Sequence, residues 1–180
     1  MKDDRKQITE FWDECVRYKL TAEKAFSQVP DDALNRVLSS EGNSVAMLVR
    51  HLSGNMLSRF TDFLTSDGEK PWRDRDAEFL TREYNRAEML ELWEKGWAVM
   101  EWEYGALTDA DLGKTITIRG KVWTVHEALA RSLAHLAYHV GQIVLLARIF
   151  AAGDWQWISI PKGMSGQYNQ QPTMEKKPLP

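Results

Sequence analysis

Residues 124–152 read TVHEALARSLAHLAYHVGQIVLLARIFAA, and this stretch decides the fold class. Thr124 and Glu127 form a T-x-x-E capping box, in which each side chain satisfies a backbone N–H that a first helical turn leaves unpaired. The run behind it is the most apolar helical segment of the chain and extends to about Ala152. Just upstream, GKTITIRGKVW alternates β-branched and polar residues around Arg119-Gly120, the pattern of a short hairpin. Further back, Tyr84, Ala87, Leu90, Trp93, Trp97, Met100, Tyr104 and Leu107 form a helical stripe that ends in the polar TDAD. TSDGEKPWRDRDA, with its Asp-Gly turn, proline and interleaved charges, reads as an ordered loop. Before it, Val45, Leu48, Leu52, Phe60, Phe63 and Leu64 repeat at the helical period, and Asn43 or Ser44 can cap that helix. The first helix, over residues 6–28, carries Ile8, Phe11, Trp12, Cys15, Ala22, Ala25 and Phe26 on its apolar face and stops near Pro30.

The expectation is an all-α protein, a four-helix bundle with a short β-hairpin inserted before the last helix. It forms one domain over residues 1–165 with a loose tail over 166–180, which has prolines, glycines and glutamines but no period. The long connections leave up-down-up-down and crossover orders both open.

Composition narrows the function classes. The chain has 180 residues, 43% hydrophobic and 27% charged, with a formal charge of −3, which offers no field for nucleic acid. A single cysteine, Cys15, cannot form an internal disulfide, and a cytoplasmic, reduced setting is expected. The start, MKDDRKQITEFW, lacks an apolar run, and the longest uninterrupted apolar stretch covers only residues 143–147, so no membrane association is expected. Cys15 sits on the apolar stripe of the first helix and reads as packing rather than nucleophile.

The four histidines are few enough for their placement to be tested. His135 and His139 are four apart in HLAYH, about 40° from each other on one helical face with β-carbons about 6 Å apart. Two imidazoles so placed can share one ion, and zinc or nickel suits such ligands. A third donor is at hand in His51, flanked on its face by Leu48 and Leu52 and so turned toward the bundle interior. His126 lies nine residues before His135, about 180° away on the opposite face, and reads as a surface residue. The pair lacks the glutamate of H-E-x-x-H, so the usual helix-borne general base of a zinc hydrolase is missing. Three histidines without a carboxylate leave an ion its full charge and open positions, suited to an anion or a thiolate.

NSVAMLVRHLSGNMLSRFTDFLTSDGEKPWRDRD, Gly96-Trp97 and HLAYHVGQIVLLAR are the most specific pieces of a wider likeness running from FWDECVRYKLTAEKA to IPKGMSGQYN. On these pieces the chain resembles the DinB/YfiT-like superfamily, and within it a branch classed as a domain of unknown function. The resemblance implies an up-down-down-up bundle and a divalent ion held by His51, His135 and His139. It further implies a transferase or isomerase using a low-molecular-weight thiol, a small-molecule substrate and a homodimer. Two other readings stay open: a non-catalytic bundle whose histidines serve stability or ligand sensing, and a metal-dependent hydrolase.

Asn55 and Arg59 follow His51 by one and two turns, and Arg131 precedes His135 by one, an interior arginine suited to a carboxylate. Gln142 can support an imidazole or a cofactor. Trp72, with Arg73 and Arg75, is a candidate for the cavity mouth, although alternating charges favour local ion pairs. Lys162 in IPKG is a weaker anion candidate.

Overall fold

The computed structural model describes residues 4–173. Its four long helices are α1 (Lys6–Phe26), α2 (Val45–Phe60), α3 (Arg86–Ala106) and α4 (Val125–Phe150). A hairpin of β1 (Thr115–Ile118) and β2 (Lys121–Thr124) precedes α4, and one further turn, α5 (Ser165–Tyr168), follows it. The hairpin pairs Ile118 with Lys121 across Arg119-Gly120, whose φ angles of 56° and 67° are those of a type I′ turn. Thr124 and Glu127 close the capping box, and Ser44, not Asn43, caps α2 by accepting from Met47 N. Replacing Ser44 with alanine is expected to cost about 1 kcal/mol, readable as a lower urea midpoint at an unchanged slope.

Hydrogen bonds at the helix ends fix the order that the sequence leaves open. Arg86, at the start of α3, donates to the carbonyls of Phe26 and Val29 at the end of α1. Ala46 N, at the start of α2, donates to Leu34 O just beyond α1, so α2 and α3 both begin where α1 finishes. Gln28 and Gln156 exchange hydrogen bonds, which brings the chain just past α4 to that same end. At the other end, His126 N reaches Leu112 O, and Arg5 donates to Leu107 O and Tyr104 O. The order is therefore up-down-down-up, and residues 61–85 must cross the length of the bundle.

α1 packs on α4, and α2 packs on α3 and also touches α4. Trp93, Trp97, Tyr104 and Phe60 are the largest fully buried side chains. Trp93 meets Trp97 and Phe26 edge to face at centroid distances of 5.5 and 5.7 Å. α2 and α3 approach closely at Gly96, where an added Cβ would stand 2.9 Å from the backbone of Ser53. Trp12, expected in the core, is half-buried and lies against Trp97 and Tyr104.

Two expectations change. α2 ends at Phe60 instead of running through Leu64, because Thr61 turns extended and Asp62 adopts φ 51°. Phe63 still reaches the core and stacks on Phe60 at 5.2 Å, so the apolar spacing outlasts the helix that suggested it. Residues 165–168, placed largely in the tail, form a helical turn with Tyr168 N bonded to Met164 O. The remainder of the expected tail, residues 174–180, lies outside the described residues. By length and composition alone α4, with a mean hydropathy of 1.4 over its most apolar window, is long and apolar enough to cross a membrane, a measure that a helix buried in a bundle core also meets. Its uninterrupted apolar run is short only because histidines, arginines and small polar residues interrupt it.

Candidate metal centre

α2 and α4 carry the three histidines to one point. One ring nitrogen each from His51, His135 and His139 can be chosen so that all lie within 4.8 Å of one another, so the three could hold a metal ion. His51 Nε2 is 3.1 Å from His135 Nε2, and the His139 ring stands 4.7 and 4.6 Å from the other two. Two nitrogens bound to one tetrahedral ion at about 2.0–2.1 Å would be about 3.3 Å apart, close to this spacing. The same distance suits an N–H···N hydrogen bond in metal-free protein. His139 Nδ1 is one of two buried side-chain polar atoms without a hydrogen-bond partner among the described residues. Gln142 lies near enough to favour protonated His139, yet it leaves that nitrogen unpaired. A buried ring nitrogen left without a partner is costly, and in the tautomer that turns its lone pair there a cation would satisfy it.

A carboxylate that sequence reading missed supports the cluster. Glu78 lies in the short 3-10 turn Asp76–Phe79, at the end of the charged loop, and is buried. Its Oε2 accepts from His51 Nδ1 at 2.7 Å, and Arg73 donates to both of its oxygens at 2.8 and 3.0 Å. Because a carboxylate only accepts, His51 carries its proton on Nδ1 and turns Nε2 toward His135. Gly54 makes the room: a Cβ there would meet Glu78 Oε1 at 2.3 Å. Burial raises the Glu78 carboxyl, but the hydrogen bonds and charges of His51 and Arg73 outweigh it and hold the group below its ordinary value. Phe79 then covers the His51 ring at 4.7 Å. The expectation of a site with no nearby carboxylate is thus corrected. A glutamate 27 residues along the chain from its histidine leaves no periodic trace; only its place beside the RDRD charges marked the segment.

Both α4 histidines are held neutral. Burial, then the charges of His139, His51 and two arginines, pushes His135 down to about 3, and burial followed by His51 pushes His139 down to about 4, from the ordinary 6.5. The unfolded chain takes up these protons near pH 6.5, whereas the folded chain refuses them until pH 4 and below. Metal-free protein is therefore expected to be fully stable with respect to these groups above pH 6.5 and to lose stability as pH falls toward 4. The loss is at most about 1.4 kcal/mol per pH unit for each histidine, less where solvent reaches His135. Urea titrations at pH 7, 6 and 5 read this loss directly; a flat midpoint would contradict it.

The cluster forms the floor of a cavity of about 470 Å³. Asn55, Arg59, Gln142 and Arg131 all line it, as does Arg75. Arg131 is not the interior residue expected: it lies exposed at the rim with its guanidinium 5.6 Å from the Trp123 ring. Arg59 is committed to the loop, donating to Gly68 O and Glu69. Trp72 is 58% exposed and not among the lining residues, since the loop turns Arg73 inward in its place. Arg73 and Arg75 pair locally with Glu78 and Asp76, as alternating charges suggested. Lys162 is not among the lining residues, and His126 is exposed against Phe11. Cys15 is fully buried, and burial pushes its thiol up to about 12, which fits packing.

The sequence profile of a family described as "Protein of unknown function (DUF1572)" matches residues 4–164. Among solved structures, the fold is similar to that of YfiT from Bacillus subtilis, described as a probable metal-dependent hydrolase with an unusual four-helix bundle topology. The two are 16% identical and superpose with a TM-score of 0.63 over 83% of this chain and 91% of that one. No curated protein matches the chain significantly.

Proposed function

The chain belongs to the DUF1572 family of DinB/YfiT-like four-helix bundles, and from that premise we propose that it is a divalent-metal-dependent enzyme acting on a small molecule, with a low-molecular-weight thiol as nucleophile. One observation carries the reading: three imidazoles, the two on α4 held neutral, converge at the floor of a cavity whose lining residues include no carboxylate. His51, His135 and His139 would hold the ion, which supplies Lewis acidity and favours the deprotonated form of a bound thiol or water. Glu78 holds the His51 ring by its Nδ1–H, and Arg73 holds Glu78, so the first imidazole is oriented before any ligand enters.

Water as nucleophile calls for a base within reach, and both oxygens of Glu78 are already taken by Arg73 and His51. A thiol, far more acidic than water, needs no such base, which places S-transfer ahead of hydrolysis. The test uses tag-free protein stripped and reloaded with zinc or nickel, assayed for S-conjugation of an electrophile with a panel of low-molecular-weight thiols and for cleavage of ester and amide substrates. Conjugation at least 100-fold faster in loaded than in stripped protein is expected. Turnover of esters alone would replace the transferase reading by the hydrolase one, and turnover of nothing would leave a binding bundle.

A further inference from the structure

Five arginines line the cavity, at positions 59, 73, 75, 119 and 131, without an acidic residue among the lining. Three are spent on carboxylates behind the wall: Arg73 on Glu78, and Arg59 and Arg119 together on Glu69. Neither of the other two is held by a carboxylate shielded from solvent. Among the described residues Arg131 has no hydrogen bond or ion pair, and Arg75 reaches only Asp76, at 3.7 Å, whose side chain is 98% exposed. Such an exposed pair constrains little. Each of these two guanidiniums instead lies against a ring, Arg75 at 5.0 Å from Phe79 and Arg131 at 5.6 Å from Trp123. Stacking fixes the plane of a guanidinium while leaving the N–H groups at its edge free, which is the state that takes an oxyanion two bonds at a time.

Both also stand next to the histidines. Phe79, under Arg75, packs on His51, and Arg131 is one helical turn ahead of His135. We propose that Arg75 and Arg131 form an oxyanion clamp at the mouth of the cavity, selecting small molecules that carry a carboxylate or phosphate group and pointing their other end at the histidines. This rests on the metal-centre reading for the direction in which the ligand points, but the clamp itself needs no ion. In a chain of net charge −3, a cavity of about 470 Å³ lined by five arginines and no acidic residue is a local reversal of sign, favouring a compact anion over a neutral ligand.

Calorimetric titration of the full chain, stripped and zinc-loaded, with succinate and with methyl phosphate at low ionic strength tests the clamp. Both residues are exposed, so Arg75→Gln and Arg131→Gln are expected to fold; Arg17→Gln, on α1, serves as the charge-matched control. At least one anion is expected to bind the stripped chain, each cavity variant to weaken it tenfold or more, and the control to leave it unchanged. The anion bound more tightly names the substrate class. Equal affinity in the control and the two cavity variants, or no binding by the stripped chain, would overturn the clamp. Zinc binding without anion binding sinks the clamp alone; anion binding without zinc binding sinks the metal centre alone.

Discussion

His135→Ala is expected to lose the bound metal. Wild-type protein, purified without a tag and dialysed against zinc or nickel, should retain about one ion per chain, and the variant close to none, with affinity down by well over 100-fold. The magnitude follows from the donor set: replacing an outer partner of a metal-bound histidine costs about 10–100-fold, and here a ligand is removed outright from a site with three. The variant should nevertheless fold. His135 is only partly buried, and in metal-free protein it sits there at a cost in desolvation, so alanine removes a strained group together with some packing. Metal-free His135→Ala should accordingly unfold within a few degrees of metal-free wild type at pH 7 and be less acid-sensitive at pH 5. Equal metal content in variant and wild type would remove the centre from this cluster.

Gly54→Ala should have the largest effect of any one-carbon change near the site. The new methyl would fall 2.3 Å from Oε1 and 2.9 Å from Cδ of Glu78. A long side chain on the surface would swing aside, but this one is buried and held on both oxygens by Arg73 and His51. Displacing it leaves the Arg73 guanidinium, only 2% exposed, without its carboxylate, a loss of about 3–5 kcal/mol for a broken buried pair. Alanine's better helix propensity returns only about 1 kcal/mol, so destabilisation wins. Without the Glu78 contact the His51 ring is free to turn, and metal affinity should fall about 10–100-fold. The double variant Gly54→Ala/Glu78→Ala separates steric from electrostatic causes. If the clash with Glu78 is the mechanism, Gly54→Ala adds little to Glu78→Ala, whereas additive losses would mean that Gly54 matters for another reason.

What could be read from the chain alone, and what could not, follows from the range of the interactions. Helix α4, its capping box, the Arg119-Gly120 turn and the shared face of His135 and His139 depend on residues within a few positions of each other, and period and spacing record them. His51 was identifiable because its neighbours Leu48 and Leu52 mark the inward face of α2. The up-down-down-up order of the helices was legible only through the family resemblance and not from period or spacing, because it depends on which ends meet: Arg86 with Phe26 and Val29, Gln28 with Gln156. Glu78 was missed for the same reason. It comes from a loop obliged by the parallel course of α2 and α3 to cross the bundle, and only the fold brings it to Gly54 and His51. Arg131 was misplaced because helical phase gives direction but not depth: the residue faces the cavity as its spacing requires, at a level where α4 is open to solvent. Local periodicity sets which way a side chain points, and so the helices and the three imidazoles could be read from the chain. Tertiary structure decided what surrounds those imidazoles, because a carboxylate held by two partners and a rim of arginines arise only where distant segments are packed together.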